Sequence, residues 1–128
     1  MRLLLDTHAL LWWWSGDRRM PRKIRSLFTD DGSEIYVSSI SVLEIAIKFR
    51  VGKLPEAGRI IERFEEILVE QGFRELSVTS THARRAGLLT GKHRDPFDRI
   101  LAAQSLIEDL VVVSKDDALG KFGARTMW

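Results

Sequence analysis

The chain has 128 residues, of which 45% are hydrophobic, and its 20 basic and 18 acidic residues give a formal charge of +2. The length predicts one domain, residues 1–128, with a single core, and the composition excludes a disordered tail while remaining compatible with a polyanionic partner. The chain has no cysteine, which excludes disulfides and thiolate metal sites, so any metal ion would need oxygen or histidine ligands.

Neither apolar run near the start of the chain has the pattern of a targeting or membrane segment. In MRLLLD, Asp6 interrupts the apolar run after three leucines, which does not fit a signal peptide. The run ALLWWW, residues 9–14, is far shorter than the roughly twenty apolar residues that cross a bilayer. We therefore expect a cytoplasmic protein with no membrane partner.

Short strands alternate with helices along the whole chain. Ser15 and Gly16 end the first predicted helix, Pro21 suits the first position of the second, and Gly52 and Gly72 suit helix ends. In chain order, the patterns predict a strand at 3–5, a helix at 8–14, a helix from Pro21, a strand at 34–39, helices at 41–53 and 59–72, a strand at 73–78, helices at 81–89 and 95–108, a strand at 109–114, a short helix at 116–122 and a strand at 124–128.

The alternation of strands and helices indicates an α/β fold. The run LVVV within residues 109–114 is apolar throughout, which is typical of a strand that is buried on both faces. We therefore predict a three-layer α/β/α sandwich with a mostly parallel central sheet.

Five acidic residues fall where the chain leaves a strand or enters a helix: Asp6, Glu44, Asp95, Asp98 and Asp116. In open parallel sheets, ligand sites form at the carboxyl ends of the strands. Most of these carboxylates could therefore face one edge of the sheet.

Helix capping is an alternative explanation for several of these acids taken singly. Ser41 and Glu44 have the spacing of a capping box, and so do Ser114 and Asp117. Asp95 before proline is a strong N-cap pattern. Asp6 fits capping less well, although it could cap a helix that starts at the next residue.

The functional alternative depends on the whole set of acids. Three or four converging carboxylates would repel one another and raise one another's pKa values. A divalent ion with oxygen ligands would relieve that repulsion, and hard oxygen donors suit Mg²⁺ or Mn²⁺. Such a site is suited to phosphoryl chemistry.

Four blocks in order, with the end of the chain, resemble the PIN domain family, and in particular the VapC-type toxins of bacterial toxin–antitoxin pairs. No single block is specific, but the resemblance covers nearly the whole chain. The blocks are Asp6-Thr7 after the first strand, SSISVLEIAIKFRVGKL at 38–54, HRDPFDRILAAQ at 93–104 and VVSKDDAL at 112–119, followed by the terminal ARTMW.

The resemblance implies a Mg²⁺- or Mn²⁺-dependent endoribonuclease that forms a homodimer and is silenced by a small cognate antitoxin. It implies that four acids are both catalytic residues and metal ligands: Asp6, Glu44, Asp98 and Asp116. Asp98 matches the family acid better than Asp95, which then remains the N-cap. Supporting positions near the ion are Thr7, Asp95 and Ser114, where Ser-Lys replaces the family's Thr-Arg before the last acid.

Basic and aromatic residues complete the functional hypothesis. We expect Lys92, His93, Arg94 and Arg99, which flank the proposed site, to bind substrate phosphate. The three tryptophans at 12–14 cannot all point inward from one helix, so at least one should lie near the surface. A dimer interface or an antitoxin groove is our interpretation of that aromatic patch.

Other functions fit the sequence less well. A haloacid-dehalogenase-type phosphatase would need a second acid two residues after Asp6, where the chain has His8. A receiver-like signalling domain that binds Mg²⁺ would need an acidic pair at the end of the first strand. A PIN-type nuclease that is not a toxin and acts on DNA or structured nucleic acid, and a PIN-type binding scaffold, are the remaining alternatives.

Overall fold

The computed structural model describes residues 1–128 and contains one sheet of five strands. Neighbouring strands are parallel throughout, and their order across the sheet is β3-β2-β1-β4-β5. The strands are β1 (Arg2–Leu5), β2 (Glu34–Ser38), β3 (Arg74–Leu76), β4 (Val111–Val113) and β5 (Thr126–Met127).

Seven α-helices connect and cover the strands, together with two 3₁₀ helices, Pro55–Ala57 and Asp117–Phe122. None of the helices combines the length and the hydropathy that a membrane-spanning segment needs. The α-helices are α1 (Thr7–Ser15), α2 (Arg22–Phe28), α3 (Ser39–Arg50), α4 (Gly58–Glu62), α5 (Phe64–Gln71), α6 (Ser80–Leu88) and α7 (Pro96–Glu108).

The alternation of side chains along β1 divides the core into two layers. Leu3 and Leu5 point to the face that α1, α2, α3 and α5 cover, whereas Leu4 points to the face that α7 covers. After the exposed Arg2, all three leucines are fully buried, as the residues of parallel strands between two helical layers are. The predicted three-layer α/β/α sandwich with a parallel sheet is confirmed.

The predicted helix ends at Gly16 and Gly72 are confirmed, since both glycines adopt left-handed backbone angles. The predicted continuous helix at 59–72 is wrong, because α4 and α5 are separated at Arg63 (φ −113°, ψ 24°). No glycine or proline marks this break. The segments are held by tertiary packing instead, with Phe64 fully buried against the ring of Trp14.

Truncation of Leu4 tests the second layer of the core. Leu4 is 0% exposed, and we expect Leu4→Ala to lower the free energy of unfolding by about 2–5 kcal/mol. Val69 is 78% exposed, and Val69→Ala should change the free energy of unfolding by less than about 0.5 kcal/mol. Urea unfolding followed by circular dichroism measures both values, and equal effects of the two substitutions would contradict this account of the core.

Candidate functional site

The candidate site lies at the carboxyl ends of the central strands. The chain moves from β1 to β2 on one side and later returns to place β4 on the other side, so β1 borders a topological switch point. The backbone N–H of Asp6 donates to the carbonyl of Val113 at 3.1 Å, which joins the ends of β1 and β4. Helices that connect parallel strands begin at this same edge, which brings the start of α7 to the site.

A small cavity at this edge gathers all four predicted catalytic acids. We call it the acidic cavity; its volume is about 150 Å³, enough for roughly five water molecules. Leu101 is its one hydrophobic lining residue. The other lining residues are Asp6, Thr7, His8, Glu44, Lys48, Asp95, Asp98 and Asp116.

Asp6 is the most deeply buried of these acids. It follows β1 directly and caps α1, because its Oδ1 accepts a hydrogen bond from the N–H of Ala9 at 2.7 Å. Burial raises the pKa of Asp6, and the charge of Asp98 adds to this rise, whereas contacts with the Ser114 hydroxyl and the Ala9 N–H lower it. The Asp6 carboxylate is therefore costly to ionise without a nearby cation.

Glu44 makes a different contact from the predicted one. The capping box with Ser41 is wrong: β2 ends at Ser38, whose side chain caps α3 and accepts from the N–H of Ile40, so Ser41 lies inside the helix. Ser41 is buried and its hydroxyl accepts a hydrogen bond from Thr7 at 3.1 Å. Glu44 is therefore one turn into α3.

Lys48 is a site residue that the sequence interpretation missed. Its Nζ lies 2.8 Å from Oε2 of Glu44, and the pair has the i,i+4 spacing that stabilises a helix. That spacing was the available signal. Lys48 is the only lysine that lines the acidic cavity, and its ammonium group lies beside the carboxylate of Glu44.

Asp95 and Asp98 have separate positions at the start of α7. Asp95 Oδ1 accepts from the N–H groups of Phe97 and Asp98, so the predicted N-cap is present. Asp98 Oδ2 lies 2.6 Å from Nε2 of His93. Burial raises the pKa of Asp98, the charges of Asp95 and Asp116 add to the rise, and the hydrogen bond with His93 lowers it.

Asp116 caps the 3₁₀ helix Asp117–Phe122 through its Oδ1, which accepts from the N–H of Ala118 at 2.9 Å. The predicted box between Ser114 and Asp117 is wrong, because Asp116 is the cap instead. Ser114 is buried, and its Oγ accepts from the Asp116 N–H and donates to the Asp116 carbonyl, both at 3.1 Å. Ser114 therefore fixes the backbone that carries Asp116.

The donor set fits a divalent cation. The acidic cavity contains carboxylate oxygens from four elements of the fold, and repulsion from neighbouring carboxylates contributes to the raised pKa values of Asp6 and Asp98. The ligand atoms of His93, Asp95 and Asp98 also lie within 4.8 Å of one another. Oxygen donors with one histidine nitrogen suit Mg²⁺ or Mn²⁺ better than soft metal ions.

The four residues predicted to bind phosphate lie in three different environments. Lys92 and Arg94 are exposed on the loop before α7, and His93 contacts Asp98. Arg99 points toward the protein: its guanidinium donates to the carbonyls of Ala86, Leu89, Gly91 and His93. These contacts favour a structural role for Arg99 over the predicted phosphate contact.

The three consecutive tryptophans are all partly exposed, as at least one was expected to be. Each ring packs on a different partner: Trp12 on Trp128, Trp13 on Phe28 and Trp14 on Phe64. Trp12 and Trp14 line a groove of about 830 Å³, which we call the tryptophan groove. The groove shares His8 and Lys48 with the acidic cavity, and its further lining includes Leu54, Ile60, Ile67, Asp17, Arg19, Lys53 and Glu56.

Comparison with known proteins gives one family and several similar structures. The PIN domain family matches residues 3–124. VapBC2 from Rickettsia felis, bound to a DNA fragment from its promoter, superposes with a TM-score of 0.72 at 15% identity over 100% of this chain and 99% of that one. DNA-bound VapBC from Salmonella typhimurium gives 0.71 at 21% identity over 99% and 97%.

FitAcB from Neisseria gonorrhoeae gives a TM-score of 0.68 at 21% identity over 98% of this chain and 96% of that one. At 15–21% identity, the similarity to these structures shows a shared fold alone. The comparison with curated proteins gives no match. The family match favours the PIN interpretation over the phosphatase and receiver alternatives.

The raised pKa of Asp6 predicts how stability depends on pH. Without metal, ionised Asp6 destabilises the native state; the effect is absent below the ordinary value of 3.8, develops as pH rises from there toward the higher folded pKa, and is complete above it. In EDTA we therefore expect Asp6→Asn to melt above the wild type at pH 7, with the difference vanishing near pH 3.8. Asparagine retains the helix cap.

Thermal denaturation followed by circular dichroism measures this difference. Asp31→Asn is the matched control, because Asp31 is exposed and lies outside the acidic cavity. The control should show no such pH-dependent gain. A wild-type protein that is more stable than Asp6→Asn at pH 7 in EDTA would contradict the proposed repulsion.

Proposed function

Because the chain belongs to the PIN domain family, we propose that it is a metal-dependent endoribonuclease that acts as the toxin of a VapBC-type pair. The observation that carries the proposal is the convergence of Asp6, Glu44, Asp98 and Asp116 on one cavity at the carboxyl edge of the sheet. Capping alone does not require these four side chains to share a cavity.

Asp6, Asp98 and Asp116 would hold a Mg²⁺ or Mn²⁺ ion directly or through its waters. One oxygen of Asp6 and one of Asp116 accept backbone N–H bonds, and no backbone N–H occupies the second oxygen of either residue. A bound ion supplies charge neutralisation at the phosphate and a more acidic water. Asp95 and Ser114 position Asp98 and Asp116 by accepting their backbone N–H groups, and Thr7, which follows Asp6, joins α1 to α3 through Ser41.

Glu44 is our candidate for the general base. Lys48 engages its Oε2, which leaves Oε1 to accept the proton of the attacking water. In the reaction, a bond forms between the water oxygen and phosphorus, the bond between phosphorus and the leaving ribose oxygen breaks, and that oxygen takes up a proton from solvent water. Lys92, His93 and Arg94 lie beside the cavity and are the proposed phosphate contacts.

Cleavage of DNA instead of RNA is the outcome that would favour a non-toxin PIN nuclease.

The tryptophan groove is our proposed binding site for the antitoxin. A further similar structure, with a TM-score of 0.62 at 15% identity, is a toxin–antitoxin complex from Klebsiella pneumoniae, which supports a protein partner here. The groove is partly apolar, with leucine, isoleucine and tryptophan side chains in its lining, which suits the apolar side chains of a bound protein segment.

A homodimer is the second proposed assembly. Leu43, Ile47 and Val51 are 49%, 36% and 52% exposed and follow one another at four-residue spacing on and just after α3. They form an apolar stripe on the surface, which is the kind of surface that a second copy covers.

The adjacent acids Asp116 and Asp117 test the catalytic assignment. We expect Asp116→Asn to reduce metal-dependent cleavage of single-stranded RNA at least about a hundredfold, because it removes a charged ligand. Asp117 lies outside the acidic cavity, so Asp117→Asn should cleave at the wild-type rate. The assay compares Mg²⁺ and Mn²⁺ with EDTA, on RNA and on DNA. Equal activity of the two variants would remove Asp116 from the site.

A charge inside the tryptophan groove tests the proposed antitoxin site. The proposed pair leads us to expect a short antitoxin gene immediately upstream; co-expression with it should yield a complex with the wild type, while Leu54→Glu should weaken the affinity at least about tenfold. Val69→Glu adds the same charge at a 78% exposed position outside the groove and should bind normally. Isothermal titration calorimetry measures both affinities, and unchanged binding by Leu54→Glu would exclude this groove.

A further inference from the structure

A second cavity, with positively charged lining, adjoins the acidic cavity. We call it the basic cavity; its volume is about 430 Å³, and it lies between the loop before α7 and the 3₁₀ helix Asp117–Phe122. His93 belongs to its wall and also contacts Asp98 in the acidic cavity, so the two cavities are neighbours. The lining consists of Gly91, Lys92, His93, Ala118, Lys121 and Phe122.

The charge of the basic cavity is opposite to that of its neighbour. Lys92 and Lys121 come from two different elements, and no carboxylate lines the cavity. Neither lysine forms an ion pair with the protein. Two unpaired ammonium groups on one cavity, without an acidic residue among its lining, favour an anion as the ligand.

Arg99 makes the wall of the basic cavity a fixed structure. Its Nε and Nη atoms donate to four backbone carbonyls at 2.8–3.1 Å, and two of these carbonyls belong to the lining residues Gly91 and His93. The guanidinium also lies 5.1 Å from the ring centre of Phe122, which forms another part of the lining. Arg99 thus joins the loop to α6, to α7 and to the ring of Phe122.

Gly91 allows the loop to lie close to that ring. Its φ is +129°, and a Cβ atom there would lie 3.2 Å from Cε1 of Phe122. The loop therefore follows a tightly held path, and the backbone that carries Lys92 is positioned before any ligand binds. A preorganised wall lowers the entropy cost of binding.

We propose that the basic cavity binds the phosphate group of the nucleotide next to the cleaved linkage, with Lys92 and Lys121 as its ligands. The proposal rests on the proposed nuclease function and adds a second phosphate subsite to it. The cleaved phosphate would lie at the acidic cavity, where a cation neutralises it, and the adjoining phosphate of the same strand would meet the lysines. Arg99 acts as a positioning residue and contacts no phosphate.

The subsite predicts that substrate affinity depends on one particular charged linkage. Lys92→Gln combined with Lys121→Gln should raise KM for single-stranded RNA about tenfold at low salt and leave kcat unchanged, since the lost contact is made equally in ground and transition states. The slope of log Kd against log salt should fall by about 0.7 to 1. Anisotropy of a fluorescein-labelled RNA, measured in the Asp116→Asn background that prevents cleavage, gives that slope.

The matched control removes the same charge elsewhere. Arg50→Gln combined with Arg59→Gln changes two exposed cations that line neither cavity and form no ion pair. This variant should retain the wild-type KM and salt slope. A similar loss in both double variants would show a general charge effect and would overturn the subsite.

A scan with neutral linkages locates the phosphate. One methylphosphonate, which removes the charge of a single linkage, is placed either before or after the cleaved linkage. In the wild type, only one of these two substrates should show a raised KM. In the lysine double variant, neither should show a further rise in KM. Equal sensitivity of the wild type and this variant would overturn the subsite while the nuclease function stands. A wild type that cleaves no RNA with either divalent ion would overturn the nuclease function itself.

Discussion

Repulsion among carboxylates that share one small cavity is the constraint on which the rest of the site depends. The fold brings these acids together at the ends of β1 and β4 and at the starts of three helices, where the charges of Asp95 and Asp116 raise the pKa of Asp98. Two internal contacts oppose that repulsion without metal: Lys48 on Glu44 and His93 on Asp98. Lys48 is the only lysine among the lining residues, against five carboxylates, so acidic groups still predominate in the cavity.

Capping and ion binding are compatible roles for the same carboxylate. Asp6, Asp95 and Asp116 each use Oδ1 to accept backbone N–H groups at the start of a helix. The cap fixes the side chain through one oxygen, and all three residues still line the acidic cavity. The same carboxylate can therefore cap a helix and bind an ion, because the cap orients the side chain before the ion binds.

The parts of the site that follow from local sequence were predictable, and those that depend on distant packing were not. Asp6 after an apolar strand and Asp95-Pro96 before a helix are local signals, and the parallel sheet places both at one edge. The inward direction of Arg99 depends on carbonyls up to 13 residues away along the chain. The break at Arg63 and the cavity beside Lys121 likewise follow from tertiary contacts that no local pattern contains. The start of α3 at Ser39 was missed because Ser38 and Ser41 both have capping chemistry.

The geometry also relates the proposed partner to the proposed chemistry. His8 and Lys48 line both the tryptophan groove and the acidic cavity, so a segment bound in the groove would lie one side chain away from Glu44. The basic cavity adjoins the acidic cavity on a different side, through His93. An antitoxin in the groove and an RNA strand across the two cavities would therefore meet at the acidic cavity alone. Inhibition in this arrangement would depend on access to the four carboxylates, and the lysines of the basic cavity would remain free.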